Sequence, residues 1–264
     1  MGQGQAADHL CRQRSQSGIS NLRERGLMVR PGGVDYRTRA TRFEPSWRVR
    51  VWVPRCDHGA KSSRLKRYQR TVCLNLLADG MPTEISKALI KTSEPLLANL
   101  VPILAVPEFK VPLPGGGRAS QNDVFVLARS SVGPVCIMVE GKVNESFGPT
   151  LKEWQNDASR GKGHRLKFLL QTLCIPKISE GHVRYQFLHR AASAIVTGEQ
   201  YHASAAIVLI HSFSERRSGW KDYEAFFCLF GKQAVCNEVQ HLTSITSIPL
   251  FSAWVAGNQA FLKC

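Results

Sequence analysis

The stretch Val124–Val143, VFVLARSSVGPVCIMVEGKV, constrains the fold more than any other part of this chain. Two apolar runs rich in Val, Ile and Phe flank a polar segment, Ser130–Pro134, and that pattern predicts a β-hairpin. The first run is entered through Asp123, after Gln121 and Asn122, and the second ends in Glu140-Gly141-Lys142. Alternate residues of a strand share a face, so Glu140 and Lys142 are expected to project together, about 7 Å apart along the chain. An antiparallel return of this length brings Asp123 beside Glu140. Two carboxylates held close in an apolar setting repel each other, and neither ionises cheaply unless a cation lies between them. Mg²⁺, a hard ion that prefers oxygen ligands and keeps part of its water, answers that requirement. Such an ion polarises a phosphoryl oxygen and carries a hydroxide nucleophile. Lys142 would hold the attacking water or neutralise developing charge on phosphate.

The hairpin is flanked by helical patterns. Val72, Leu76 and Leu77, then Ile85, Leu89 and Ile90, predict helices separated by Gly80 and Pro82. The pattern continues through Leu96, Leu97, Leu100, Val101 and Leu104, with Thr92-Ser93-Glu94-Pro95 as a helix opening. PEFKVPLPGGG, residues 107–117, then predicts a loop that is neither helix nor central strand. Its glycines are a turn and not a phosphate loop, because a strand follows where a helix opened by Gly-Lys-Ser/Thr is required. Gly161-Lys162-Gly163 is not a phosphate loop either, because no apolar strand precedes it. Ser159 reads as the N-cap of a helix running to Cys174, on which Lys162, His164, Arg165 and Lys167 form a solvated face.

Downstream, VRYQFLHRAASAIVTGEQY predicts a helix with Tyr185, Leu188, Ala192 and Ile195 inside and Gln186, His189 and Arg190 on other faces. Residues 203–213 have the continuous apolar character of a strand buried on both faces, with His211-Ser212 at its end. DYEAFFCLFG reads as a short helix stopped by Gly231, and SIPLFSAWVAG as a last strand with Trp254 packed. These elements predict an α/β (α+β) fold with a mixed central sheet flanked by helices.

Charge divides the chain. Residues 1–70 hold sixteen Lys plus Arg, fourteen of them Arg, against five Asp plus Glu, so +11 of the net +15 lies there. Glycine, proline and arginine interrupt every apolar cluster of this region except WRVRVWV, residues 47–53, which alternates as a short strand. The organisation expected is a basic, poorly ordered N-terminal region over 1–70 and a folded domain over 71–264. The alternative for the basic region is an arm that adds sequence-independent affinity for phosphates.

No window approaches the eighteen uninterrupted apolar residues of a membrane span. MGQGQAADHLCRQRSQSG lacks the apolar core of a secretory signal, so the expected location is the cytoplasm. The eight cysteines form no CxxC pair, and Cys136, Cys174 and Cys228, inside apolar runs, are expected as small buried hydrophobes. No serine lies in Gly-x-Ser-x-Gly, and no repeat of 20 to 50 residues is present.

Asp123 with Glu140-Gly141-Lys142, in the order helix, hairpin, helix, strand, resembles the PD-(D/E)XK nuclease-like superfamily with its restriction-endonuclease-like core. SQNDVFVLAR, VEGKVNESFGPTLKEW and YQFLHRAASAI are similar to blocks of a bacterial family of unknown function that carries this core. The resemblance implies a metal-dependent nuclease acting on DNA, with Asp123 and Glu140 as ligands of Mg²⁺ or Mn²⁺, the Gly141 carbonyl as a third ligand and Lys142 as the catalytic lysine. Asn122 stands where the motif's name has Pro. Members of the superfamily often present Gln or Arg from the helix behind the hairpin, which makes Gln186, His189 and Arg190 further candidates; Gln121 and Glu145 are weaker ones. Nucleic acid is the expected partner, DNA ahead of RNA, with no membrane and with a homodimer allowed. The competing expectation is a noncatalytic nucleic-acid-binding or protein-interaction module on the same fold. It is favoured by the body's net charge of only +4 and by the lack of a basic, aromatic-interleaved path for nucleic acid.

Overall fold

Val, Ile and Phe on a pleated backbone bury both faces of a strand only if the sheet is covered on both sides, and the architecture follows from that need. The computed structural model describes residues 81–157, 159–178 and 181–258. The chain runs α1 (Thr83–Lys91), a 3₁₀ turn (Pro95–Leu97), β1 (Val101–Val111), β2 (Ser120–Arg129), β3 (Pro134–Lys142), α2 (Leu151–Gln155), α3 (Arg160–Thr172), α4 (Tyr185–Gln200), β4 (Ala205–Ser212), α5 (Trp220–Cys228), β5 (Val239–Thr243) and β6 (Leu250–Ala256). The strands form one six-stranded sheet in the order β1-β2-β3-β4-β6-β5. β1, β2 and β3 are antiparallel, β3, β4 and β6 are parallel, and β5 closes the far edge antiparallel to β6. The sheet is thus mixed, and the fold is α/β as the sequence implies.

Period-two alternation splits the core in two. Val124, Val126, Val135, Ile137, Val139, Ile207 and Leu209 face one side, where Ile85, Ala88 and Leu89 of α1 cover them. Phe125, Cys136, Met138, Val208 and Ile210 face the other, under α3, α4 and α5. Each fully buried Val, Ile or Phe contributes about 1.5–3 kcal/mol, so both layers hold the hairpin in place. Ser130 closes the β2–β3 turn by accepting at Oγ from the Val132 and Gly133 amides.

Several elements differ from the sequence expectation. The helical pattern through Leu104 is not a helix beyond the 3₁₀ turn: from Val101 the chain is the strand β1, and the loop predicted from Pro107 begins only after Val111. A short apolar run does not distinguish buried helix from strand by period, and β1 is an edge strand, where Pro102 and Pro107 need give up no ladder hydrogen bond. Ile90, expected to face inward, is 81% exposed, since Ile85, Ala88 and Leu89 already fill the face of α1 toward the sheet. Cys136 is buried, Cys174 half-buried and Cys228 exposed. β5 carries no visible pattern in the sequence, being five residues of which only Val239 and Leu242 are buried. The glycine turn does hold: an added Cβ at Gly115 (φ +78°) would stand 2.2 Å from the Arg165 amide nitrogen, so only glycine lets this loop lie on α3. Arg165 is buried there, not solvated. It donates to the carbonyls of Leu113, Pro114 and Arg118.

The expectations for residues 1–70, including the strand at 47–53, and for the helix at 72–77 lie outside the described residues. Among the described residues no helix is long and apolar enough to cross a membrane.

Candidate active site

The carboxyl ends of β3 and β4 lie side by side, in register from Val135↔Ala205 to Lys142↔Ser212. That end of an open α/β sheet is where such folds bind ligands. Glu140 and Lys142 leave β3 on the same face as Cys136 and Met138, toward α4, and Lys142 Nζ lies 3.2 Å from Glu140 Oε1. The two-residue spacing therefore produces the shared projection expected of it. Both side chains are 6% exposed.

Asp123 joins them through an irregularity. Ser120, Asn122 and Phe125 all face α4, the first two by contact with His189 and Ser193 and the third within the core beneath that helix. Strict alternation forbids this combination, so β2 turns over between Asn122 and Phe125. Its pairing with β3 stops at Val124↔Val139. The Gly141 amide, which would otherwise continue the ladder, donates to Asp123 Oδ2 at 2.8 Å. A side-chain carboxylate thus replaces a main-chain acceptor, which fixes Asp123 beside Glu140-Gly141.

α4 supplies the rest. Its first two turns carry Gln186 and Arg190, four residues apart and on one helix face. Gln186 Nε2 donates to Glu140 Oε1 at 2.6 Å, while Gln186 Oε1 accepts from Lys142 Nζ at 3.4 Å. Arg190 Nε donates to Glu140 Oε2 at 2.8 Å and its Nη1 to Ser120 Oγ at 3.2 Å. Ser120 Oγ in turn lies 2.8 Å from His189 Nδ1. Lys142 also donates to the Ser146 carbonyl at 3.4 Å and stands 4.7 Å above the Phe147 ring.

Electrostatically the cluster is lopsided. Burial, and then the neighbouring Glu140 carboxylate, push the Asp123 carboxyl up from its ordinary 3.8 to about 7, against the opposing pull of the Gly141 amide, Arg190 and Lys142. Burial, with the nearby charges of Arg190 and Arg165, holds His189 well below the ordinary imidazole range, so at neutral pH it is uncharged. Among the described residues no group of three or more His, Cys, Asp and Glu side chains is gathered at metal-ligating spacing. The oxygen donors that do converge are the carboxylates of Asp123 and Glu140, with Gly141 between Glu140 and Lys142 in the chain.

The remaining candidates divide. Gln186 and Arg190 touch Glu140; His189 stands one hydrogen bond further out, through Ser120. Glu145 does not join the cluster: its Oε2 accepts from its own loop, at the Val143 and Asn144 amides. Gln121 is exposed and donates to Glu108 on β1. Sequence reasoning misses two residues. Ser120 anchors Arg190, and Asn122, buried, accepts from Ser193 Oγ at 3.1 Å and ties β2 to α4. The only signal for them is a polar SQND opening an otherwise apolar strand.

No curated protein and no solved structure matches the chain. Residues 49–259 match the model of a family described as Domain of unknown function (DUF6946), a span that takes in residues 49–70 of the basic region as well as the described fold. The chain belongs to that family.

Proposed function

We propose that this member of the DUF6946 family is a metal-dependent nuclease of the PD-(D/E)XK type, hydrolysing phosphodiester bonds of DNA. The observation that carries the reading is the convergence of Asp123, Glu140 and Lys142 at the carboxyl end of β3, all nine-tenths buried or more. The donor chemistry fits Mg²⁺ or Mn²⁺: Asp123, Glu140 and the Gly141 carbonyl are hard oxygen ligands, and burial beside Glu140 makes the Asp123 charge costly in the protein alone. When bound, such an ion supplies Lewis-acid activation of phosphate and water. Lys142 would neutralise charge on the phosphate or hold the attacking water, as a buried ammonium already oriented by Glu140, Gln186 and the Ser146 carbonyl. Gln186 bonds both Glu140 and Lys142, so it would fix their separation.

A second reading has its own observation. Both oxygens of Glu140 are engaged by protein donors, Oε1 by Gln186 and Lys142 and Oε2 by Arg190. A carboxylate satisfied in this way suits a noncatalytic nucleic-acid-binding or protein-interaction module that keeps the fold.

Purified protein incubated with supercoiled plasmid and Mg²⁺ or Mn²⁺ separates the two. The parent is expected to nick it, and Lys142→Ala to lose activity on the order of 10²–10³-fold, the scale of losing one preorganised charge-stabilising group. A parent that leaves the plasmid intact, or a Lys142→Ala protein that cuts at the parental rate, removes the nuclease reading.

A further inference from the structure

Arg190 is the member of the cluster that the nuclease reading does not use. It comes from the α4 turn after Gln186, the residue is 8% exposed, and its guanidinium takes Oε2 of Glu140, the oxygen that Gln186 and Lys142 leave. A buried guanidinium persists only where carboxylate and further acceptors offset its desolvation, and here Glu140 and the Ser120 hydroxyl do so. With both acids ionised, Asp123 and Glu140 bring two negative charges, and Lys142 and Arg190 two positive ones, to the same spot. A divalent ion at the two carboxylates adds two further positive charges beside the guanidinium, and at low local dielectric that repulsion is large.

We propose that Arg190 is a built-in counter-cation of the Asp123–Glu140 pair, one that a divalent ion must displace from Glu140 Oε2, so that this residue sets the metal affinity of the site. The inference rests on Asp123 and Glu140 being cation ligands, as in the proposed function, but not on catalysis. It accounts for how these side chains offset one another's charge and still offer an oxygen-rich site. Ser120 is the second anchor of the guanidinium: with its hydroxyl removed Arg190 keeps its charge but loses one of its two acceptors, and yields more readily.

The test is calorimetric titration of full-length protein with Mn²⁺, without nucleic acid, for the parent, Arg190→Gln and Ser120→Ala. The amide introduced by Arg190→Gln would keep a neutral donor near Glu140 and remove the competing charge. That variant is expected to bind Mn²⁺ on the order of tenfold more tightly, and Ser120→Ala two- to threefold, as befits loss of a nearby charge and of one hydrogen bond. Adding Asp123→Asn to Arg190→Gln is expected to abolish the gain. Variants that bind Mn²⁺ no more tightly than the parent overturn the proposal, as does a gain that survives Asp123→Asn. Should Arg190→Gln not fold by circular dichroism, Ser120→Ala decides alone. Plasmid nicking by the same preparations keeps the two ideas apart: tighter Mn²⁺ binding with no nicking by the parent supports the role of Arg190 and ends the nuclease reading. Nicking by the parent with unchanged Mn²⁺ affinity in the variants does the reverse.

Discussion

At the ends of β3 and β4, on opposite faces of the sheet, two acidic groups meet burial in opposite ways. Gly141 pairs with His211 across the ladder, so the Asp123–Glu140 cluster and the Glu84–His211 pair are separated by little more than the thickness of the sheet. Glu84, in the first turn of α1, accepts from His211 Nε2 at 3.1 Å and from the Asn258 amide at 3.2 Å. Burial raises its carboxyl, but the His211 ring and the amides of Glu84 and Asn258 outweigh that and hold it at about 2. Asp123 is pushed the other way, to about 7, by burial and by Glu140. Both are partly or wholly desolvated acids at a sheet end. Both accept from main-chain amides; the difference is that Glu84 adds the His211 ring, whereas Asp123 faces the Glu140 carboxylate and deeper burial, which the Gly141 amide, Arg190 and Lys142 do not outweigh. A carboxylate held ionised by donors ties elements together as a brace, here α1 to β4 and to the chain after β6. One whose charge is opposed by burial and a second carboxylate has use for a proton or a cation, as the proposed metal site requires.

The largest expected effect tests whether Glu140 is the keystone of its cluster. Glu140→Gln leaves Lys142 and Arg190 buried and close with Asp123 as the one acid of the cluster, and breaking a buried ion pair from one side costs roughly 3–5 kcal/mol. Urea unfolding is the measurement. A loss no greater than that of Glu84→Gln would make the two clusters energetically alike and end the contrast.

Asp123→Asn is next, and it acts in the opposite direction. An acid whose folded pKa is about 7 and whose ordinary value is 3.8 binds its proton more tightly in the folded state. Stability therefore falls as pH rises from about 4 to about 7 and levels off above, in the absence of divalent ions. Asn keeps an acceptor for the Gly141 amide and removes the charge. The variant is expected to match the parent near pH 4 and to exceed it at pH 8 by about 1–3 kcal/mol, well inside the shift's own ceiling. Urea midpoints at the two pH values check this. A variant that is more stable yet no longer nicks plasmid would show Asp123 retained for chemistry at a cost in stability.

Much of this contrast can be read from residue order, and the unread part has physical reasons. Period two gives the shared face of Glu140 and Lys142 and the return of the hairpin toward Asp123, because both depend only on pleat and turn. The 3.6 period of YQFLHRAASAI places Tyr185, Leu188, Ala192 and Ile195 inside; the last three are buried and Tyr185 is half-buried. It cannot show that Gln186 and Arg190 also point inward at the helix's first turns, since a polar residue near a helix start is usually solvated. Alternation breaks where the chemistry is densest: β2 turns over at Asp123, and nothing in SQND announces an interrupted ladder. β1 escapes the sequence because apolar spacing in LLANLVPILAV fits helix and strand alike, and only its place at the sheet edge reconciles it with two prolines. His211 stands at the end of a buried strand, as the sequence implies, but its partner lies 127 positions away, beyond the reach of any local pattern.

Glu84→Gln gives the smallest effect and isolates the brace. The amide keeps an oxygen acceptor for His211 and Asn258, so what is lost is the charge alone, and because the carboxylate is partly exposed, solvent screens it. The expected loss at pH 7 is at most about 1 kcal/mol, with plasmid nicking and Mn²⁺ affinity unchanged because the side chain lies across the sheet from Glu140. Its pH dependence should mirror that of Asp123→Asn. A depressed folded pKa contributes stability that is present above 4.5 and disappears as pH falls toward 2, so the gap between parent and Glu84→Gln should close in acid, where that of Asp123→Asn has already closed by pH 4. Urea midpoints at pH 2.5 and pH 7 measure it. A gap that widens in acid, or a nicking rate that falls with Glu84, would join the two faces into one functional unit and dissolve the distinction between brace and site.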